Sequence, residues 1–557
     1  HFTLDLAARR PHGGRWRATA LAALAALTLN LQLSMAQLPG PTPAEITEFG
    51  PVSVAQGIAA GPDGAVWFAQ RLIGKISRIT ATGFITEYTL PDTSVQPCVM
   101  TAGPDGAIWF TEVIGNKIGR ITMSGMVTEY SLPSANSSPQ GITVGPDGAV
   151  WFTQAAGRIG RITTAGAISE FVLPGGHDPT SITTGPDGAL WFLEWHGNRI
   201  GRLTLAGNVT FYNIPTAGAG AASITQGPDG ALWFVEGDAN KIGRITTGGA
   251  FTEYPVPTPR ARPVGITPGP DGAMWFTEGD GVKIGRITMA GAITEYVLPG
   301  GTTPFFITVG RDGALWFTEY SKIGRVRLAK VRTGVLSHLA AGGAWTSTVT
   351  LVNTSLVTVP LTVVLRGGDG AGLALPLKVT QGGLTQNLAP TAALDATIPP
   401  NASLIIAMGE SLGGLSVGWA EVLSPGPVCG FAIFRTVAAG QASEGTVALQ
   451  TQFPTAMVLP FENVDGFVMG VALANLSPAA ATVTATVWDD AGTLVGTATL
   501  DPIPGNGHTS FVLPNQVGLT GGKRGIVRFQ TSGAAGVAGL GLRFLNVQNT
   551  FTSVPSM

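Results

Sequence analysis

Residues 103–130 read GPDGAIWFTEVIGNKIGRITMSGMVTEY. Three short apolar runs are separated by turn chemistry. Asp105-Gly106 supplies the positive φ angles of a tight hairpin, and Met123-Ser124-Gly125 does the same for the next reversal. With the apolar segment ahead of Gly103, the stretch predicts four antiparallel strands. It also recurs. G-x-D-G-A-x-W-F begins at Gly61, Gly103, Gly145, Gly185, Gly227, Gly269 and Gly310, at steps of 40 to 42 residues. Versions of K-I-G-R-I-T follow each copy, as at Lys117–Thr122 and Lys283–Thr288, and T-E-Y-like strands follow in turn, as at Ile85–Tyr88 and Ile293–Tyr296. Four strands per repeat of this length is the pattern of a β-propeller blade.

The ends of the repeat predict a closed ring. The seventh unit has no T-E-Y strand after Val326, whereas Glu45–Phe49 is such a strand without a blade of its own. It can complete blade seven and remove the exposed edges between first and last blades. The expectation is seven blades spanning 43–328. The tryptophans at 67, 109, 151, 191, 233, 275 and 316 recur once per blade and are expected to pack between blades. Repeated charges such as Arg120 and Glu129 are expected to pair across the outer strands.

Outside the propeller, Arg9, Arg10, Arg15 and Arg17 precede the uncharged run Ala18–Leu33, and Ser34-Met35-Ala36 offers small residues for cleavage. Residues 1–36 are therefore expected to be an export signal. The mature chain would then be extracytoplasmic (secreted, periplasmic or at the cell surface) and have no integral membrane span. Residues 333–557 are rich in Val, Thr, Ala and Gly and carry an internal duplication: TSTVTLVNTS (346–355) against VMGVALANLS (468–477), 361–377 against 483–500, and 426–435 against 534–544. Two tandem immunoglobulin-like β-sandwiches, 333–445 and 446–557, are expected. The whole chain is thus all-β. A formal net charge of −2 argues against nucleic acid as a partner. The two cysteines, Cys98 and Cys429, cannot build a disulfide framework, and each is expected to be a small buried hydrophobe.

Strand order puts the loops leading into each innermost strand and those leading out of each W-F strand on one face. That face carries the sequence variation and is the expected binding face. Gln70, Glu112, Gln154, Glu194, Glu236, Glu278 and Glu319 end the W-F strands and are expected to ring the central channel. Oxygen ligands of this kind, above all Glu319, Glu278 and Glu194, suit Mg²⁺ or another divalent cation. The lead-in positions Gln56, Cys98, Gln140, Thr180, Ala222, Val264 and Phe305 form a mixed, partly apolar surface suited to a small molecule, a peptide or a cell-surface polymer. Blade four adds Trp195 and His196, with His177 in its lead-in loop; the two histidines are candidates for a base or a metal pair.

The repeats G-P-D-G-A-x-W-F-T-E, N-K-I-G-R-I-T and I-T-E-Y resemble the virginiamycin B lyase (streptogramin lyase) family over about 43–328. The resemblance implies a seven-bladed propeller that opens a cyclic streptogramin B depsipeptide by Mg²⁺-assisted C–O elimination. A histidine would take the proton, and glutamates would hold the metal. It also implies where those residues should stand. The family's Pro-His loops are Arg262–Ile266 and Thr303–Ile307 here, with Val264 and Phe305 in place of the imidazoles and Thr303 in place of a glutamate. Only Glu319 is retained. Two functions therefore stay open: an exported propeller that binds a ligand or partner without lyase chemistry, and a Mg²⁺-dependent streptogramin B lyase.

Overall fold

The computed structural model describes residues 43–175, 178–409, 414–438, 441–531, 536–545 and 550–554. The expected export signal and His177 lie outside them. Among the described residues no helix is long and apolar enough to cross a membrane.

Seven four-stranded antiparallel sheets follow one another from residue 43 to residue 328. In the last, Pro43–Phe49 pairs with Ile323–Leu328, so the N-terminal strand completes blade seven as expected. The first and last innermost strands, Ala55–Ala60 and Pro304–Val309, lie side by side and close the ring.

The W-F strand is buried along its whole length in every blade, for example Ile108–Glu112. Its tryptophan reaches the next blade: Trp67 packs with Met100, Ile108 and Phe110. Each of the seven indoles also stacks on an aromatic ring of its own outer strand, as Trp109 does on Tyr130 at 5.6 Å. In blade seven the partner is Phe49, contributed by the closing strand. The turn aspartate does more than shape the hairpin. Asp105 Oδ1 accepts from Trp109 Nε1 at 3.0 Å and Oδ2 takes Arg120 Nε at 2.7 Å. Gly106, at φ 74°, makes the turn beside it. The expected pairing of Arg120 with Glu129 is therefore corrected. Arg120 belongs to Asp105, and Glu129 is held by Lys117.

The C-terminal half forms two pairs of sheets. In the first, a four-stranded sheet containing Val331–Ala341 and Ser416–Ser424 faces a six-stranded sheet containing Trp345–Asn353 and Cys429–Ala438. They share one core that includes Leu336, Leu351, Val363 and Phe434. In the second, the sheets contain Arg524–Thr531 and Phe467–Asn475, around Leu459, Val471, Val527 and Phe529.

The duplication has a structural signature. Asn353 Nδ2 donates to the carbonyls of Val357, Ile398 and Pro399, and Ser355 N returns to its Oδ1. Asn475 does the same with Ala479, Ile503, Pro504 and Ser477. The equivalence of 361–377 with 483–500 holds only in its first part. Leu375–Gln381 joins the sheet opposite Val359–Gly367, whereas Leu494–Thr499 pairs back onto Val483–Asp489. The reason is an extra strand: Ala393–Ile398 takes the place beside Val359–Gly367. Cys98 is buried as expected, but Cys429 is exposed.

The first sandwich docks on the turn face of the propeller. Gly426 lies against the backbone of Pro270 and Asp271, and Gly313 against Pro360. The Asp271 side chain is 0% exposed there, where Asp105 and its counterparts in blades three to five keep 18–20%. Both contacts lie on the turn face, opposite the loops.

Candidate functional site

The loop face is built blade by blade. The first residue of each innermost strand pairs with the last of its W-F strand, as Pro139 does with Gln154. Lead-in and lead-out loops therefore meet at the rim. Backbone bonds join them: Val113 N to Gln96 O at 3.2 Å, Trp195 N to Asp178 O at 3.3 Å, Gly279 N to Arg262 O at 3.0 Å. Each innermost strand then shifts register after its first residue. Threonines of neighbouring blades fix the next position. Thr111 Oγ1 donates to Gln140 O at 2.8 Å, Thr153 Oγ1 to Thr180 O at 2.6 Å and Thr277 Oγ1 to Phe305 O.

Gln56, Gln140, Thr180, Val264 and Phe305 are half-buried at these positions. Gln56 Oε1 accepts from Arg71 Nη1 at 3.2 Å, and Arg71 Nε reaches Gln96 Oε1 at 3.1 Å. Arg71 thus bridges blades one and two, a role the repeat pattern did not signal. Thr180 Oγ1 is buried without a hydrogen-bond partner among the described residues. The lead-out loops add exposed apolar side chains over three consecutive blades: Tyr320 (57% exposed), Leu72 (60%) and Ile114 (64%). Blades five and six carry Gly237-Asp238 and Gly279-Asp280 instead.

The residues ending the W-F strands do not ring the channel. Gln70, Glu112, Gln154, Glu194, Glu236, Glu278 and Glu319 are all buried inside their blades. Gln70 shows the direction: its Nε2 donates outward to Ser77 Oγ at 2.7 Å and Glu87 Oε1 at 2.6 Å. Gln154 likewise donates to Glu170 at 3.0 Å. Where the strand ends in glutamate, two carboxyls share that space with one lysine. Lys117 holds Glu129 at 2.5 Å, and both Glu112 oxygens lack a hydrogen-bond partner among the described residues. Burial first, and then the Glu129 carboxylate, push Glu112 up to about 8. The same causes act on Glu236 and Glu278, raised to about 7, with Glu253 and Glu295 as the outer carboxylates. Burial pushes the outer pair up too. It is outweighed by hydrogen bonds from Lys241 and Thr216 in one blade and from Lys283 and Thr258 in the other, so both end below the usual carboxylate range. Glu319 rises to about 7 through burial and Glu48, and its Oε2 accepts from Thr302. The inner acids stand where blades one and three carry glutamine; a protonated carboxyl has nearly the shape of that amide, with one donor hydrogen where the amide has two.

Blade four departs from this scheme. Phe211 replaces the outer glutamate, and Arg199 replaces the lysine. The guanidinium lies 3.7 Å over the Phe211 ring and forms an ion pair with Glu194. Above it, His196 is 78% exposed, with Nδ1 2.8 Å from Asp178 Oδ2; its backbone N–H reaches Oδ1 at 3.2 Å. Asp178 was missed in the sequence. The signal was an acid in the lead-in loop of the blade whose lead-out loop holds the imidazole. Trp195 is half-buried beside it.

The metal candidates are thus kept apart. Glu194 is engaged by Arg199, and Glu278 and Glu319 sit in separate blades. Among the described residues no group of three or more His, Cys, Asp or Glu side chains is placed to hold a metal ion.

Comparison with known proteins gives one consistent relationship. Two overlapping segments, 42–177 and 155–338, match the model of the virginiamycin B lyase family. A solved streptogramin B lyase is 45% identical over 51% of this chain and 97% of its own length, with a TM-score of 0.50. Virginiamycin B lyase from Staphylococcus aureus, as a selenomethionine-substituted form and as a catalytically inactive histidine-to-alanine variant with quinupristin, is 45% identical over 51% of this chain and 99% of its own, with TM-scores of 0.49. No curated protein matches the chain.

Proposed function

The chain belongs to the virginiamycin B lyase family, and from that premise we propose that its propeller binds an apolar-rich ligand, such as a cyclic peptide, on the loop face without the elimination chemistry of its relatives. The observation that carries this reading is the channel mouth. Val264 and Phe305 stand where the resemblance calls for a proton-accepting imidazole, and neither can take a proton. Tyr320, Leu72 and Ile114 add exposed apolar side chains on the lead-out loops of the same face. Burying such side chains contributes roughly 1.5–3 kcal/mol each. The donor set does not suit Mg²⁺ either. A hard divalent cation takes about six oxygens, several of them carboxylate. Here the one retained carboxyl, Glu319, is buried in its blade with Thr302 on one oxygen, and Thr303 stands where a second glutamate would be needed.

The test uses quinupristin, the compound present with one of the solved relatives. Titration calorimetry is expected to show saturable binding that is weakened at least tenfold by Leu72→Glu or Ile114→Glu. Mass spectrometry with Mg²⁺ present is expected to find the ring intact. Mg²⁺-dependent ring opening that disappears in Glu319→Ala would overturn the binding reading and install the lyase. The export signal enters the same proposal: the mature chain is exported, and the sandwiches carry the loop face outward. Retention of residues 18–33 in material recovered from inside expressing cells, with none secreted, would refute that part.

A further inference from the structure

Two imidazoles meet where the sandwiches join. His338 lies on Val331–Ala341, at an irregularity in register between Leu336 and Leu339. His508 opens the strand His508–Val512 of the second sandwich. Both are more than nine-tenths buried. Nδ1 of His338 is 3.3 Å from Nε2 of His508, and the edge of Phe434 closes the other side at 5.2 Å between centroids. The surrounding bonds also cross from one sandwich to the other: Trp419 Nε1 to Asn506 O at 2.9 Å, His508 N to Gly368 O at 3.1 Å, Arg332 Nη1 to Leu476 O at 2.7 Å.

At this separation one facing nitrogen donates and the other accepts, which neutral rings do through complementary tautomers. With both rings protonated, hydrogens stand on both facing nitrogens and two positive charges share a desolvated junction. Of the charged groups on the elements packed around the pair, all but Asp369 are in ion pairs. Glu421 is held by Arg332 and Arg366, Arg435 pairs with Glu444, Arg543 with Glu462, and Asp369 accepts from Ala371 N. Trp345–Asn353, Phe467–Asn475 and Leu513–Gln516 carry no ionisable side chain. Among the described residues, no carboxylate is hydrogen-bonded to either ring.

We propose that the His338–His508 pair is an acid-sensitive latch, which locks the second sandwich to the first while the rings are neutral and releases it when both are protonated. Burial lowers His338 to about 4; burial and the neighbouring His338 lower His508 to about 3. Opening therefore takes up protons. The closed form has its full advantage above about pH 6.5 and loses it as the pH falls through 4 and then 3.

Small-angle scattering of the full chain from pH 7 to pH 3 tests this. The maximum dimension is expected to rise as the pH falls through about 4, while hydrogen exchange shows the propeller strands still protected. His508→Gln keeps a neutral hydrogen-bonding group that does not titrate. It should delay opening by at least one pH unit. His338→Gln, made in parallel, covers the case in which only one of the two amides fits the gap. Opening at the parent's pH in both variants, or loss of propeller protection in the same step, would overturn the latch.

Discussion

Blades two and four end their buried strands with the same residue and settle its charge in opposite ways. Glu112 shares its space with Glu129 and a single lysine. Lys117 goes to the outer acid, and the inner one is left without a partner and raised to about 8. Glu194 has Phe211 where the second acid would be, so Arg199 is free to pair with it. Behind the W-F strand both blades therefore keep about one negative and one positive charge, while the position of the carboxylate moves. A family motif read residue by residue would treat Glu112 and Glu194 as equivalent. Chemically, one is a stand-in for glutamine and the other is half of an ion pair.

The largest effect should come from breaking the blade-four pair. Arg199→Met leaves Glu194 buried without its cation and is expected to cost about 3–5 kcal/mol, read by chemical denaturation at pH 7. A loss below about 1 kcal/mol would mean that Glu194 does not depend on the pair. Glu112→Gln should act in the other sense. The raised value of Glu112 means that the folded parent binds a proton that the unfolded chain has released. Its stability is complete below about pH 4.5 and falls as the pH rises through 8. The amide variant should match the parent near pH 4.5 and exceed it by about 2–4 kcal/mol at pH 9. Equal slopes in the two pH profiles would refute the protonated state. Phe211→Glu rebuilds the common pattern in blade four and places a second acid beside Glu194. A loss of about 1–2 kcal/mol is expected, as the stacked guanidinium is drawn off its ring. The smallest effect belongs to His196→Ala, which removes an exposed hydrogen bond to Asp178 and should move stability by under about 0.5 kcal/mol.

How far these differences could be read in advance depended on parity along the strands. The seven blades, the closing strand and the buried tryptophans were legible, because turn residues and aromatic spacing report them directly. The pairing of Glu129 was legible in principle and was misread. Glu129 lies opposite Gly119, which places it on the face of Lys117 and Glu112; Arg120, one residue on, faces the other way, with Trp109 and Asp105. The direction of the strand-end glutamates was not legible. It depends on the space above Gly119, where the Phe110 ring lies, and on a register shift in the innermost strand that has no sequence marker. The His338–His508 junction was hidden for a different reason. It joins residues 170 positions apart through an interface between two sandwiches, and no local pattern specifies such an interface.

The closing strand also has a mechanical consequence. Ile323–Leu328 passes into Val331–Ala341 of the first sandwich after only two intervening residues. Any pull on the C-terminal half that frees the docked sandwich is delivered along that strand. There it is bonded on one side to Leu315–Glu319 and on the other to Pro43–Phe49. The load is borne in shear by two ladders at once, with Lys322–Glu48 and Arg325–Asp312 bracing it on either side. The seam that closes the ring is therefore also the point at which the ring is anchored to the rest of the chain. A tug on the tail meets a doubly held strand rather than a hairpin that unzips one bond at a time.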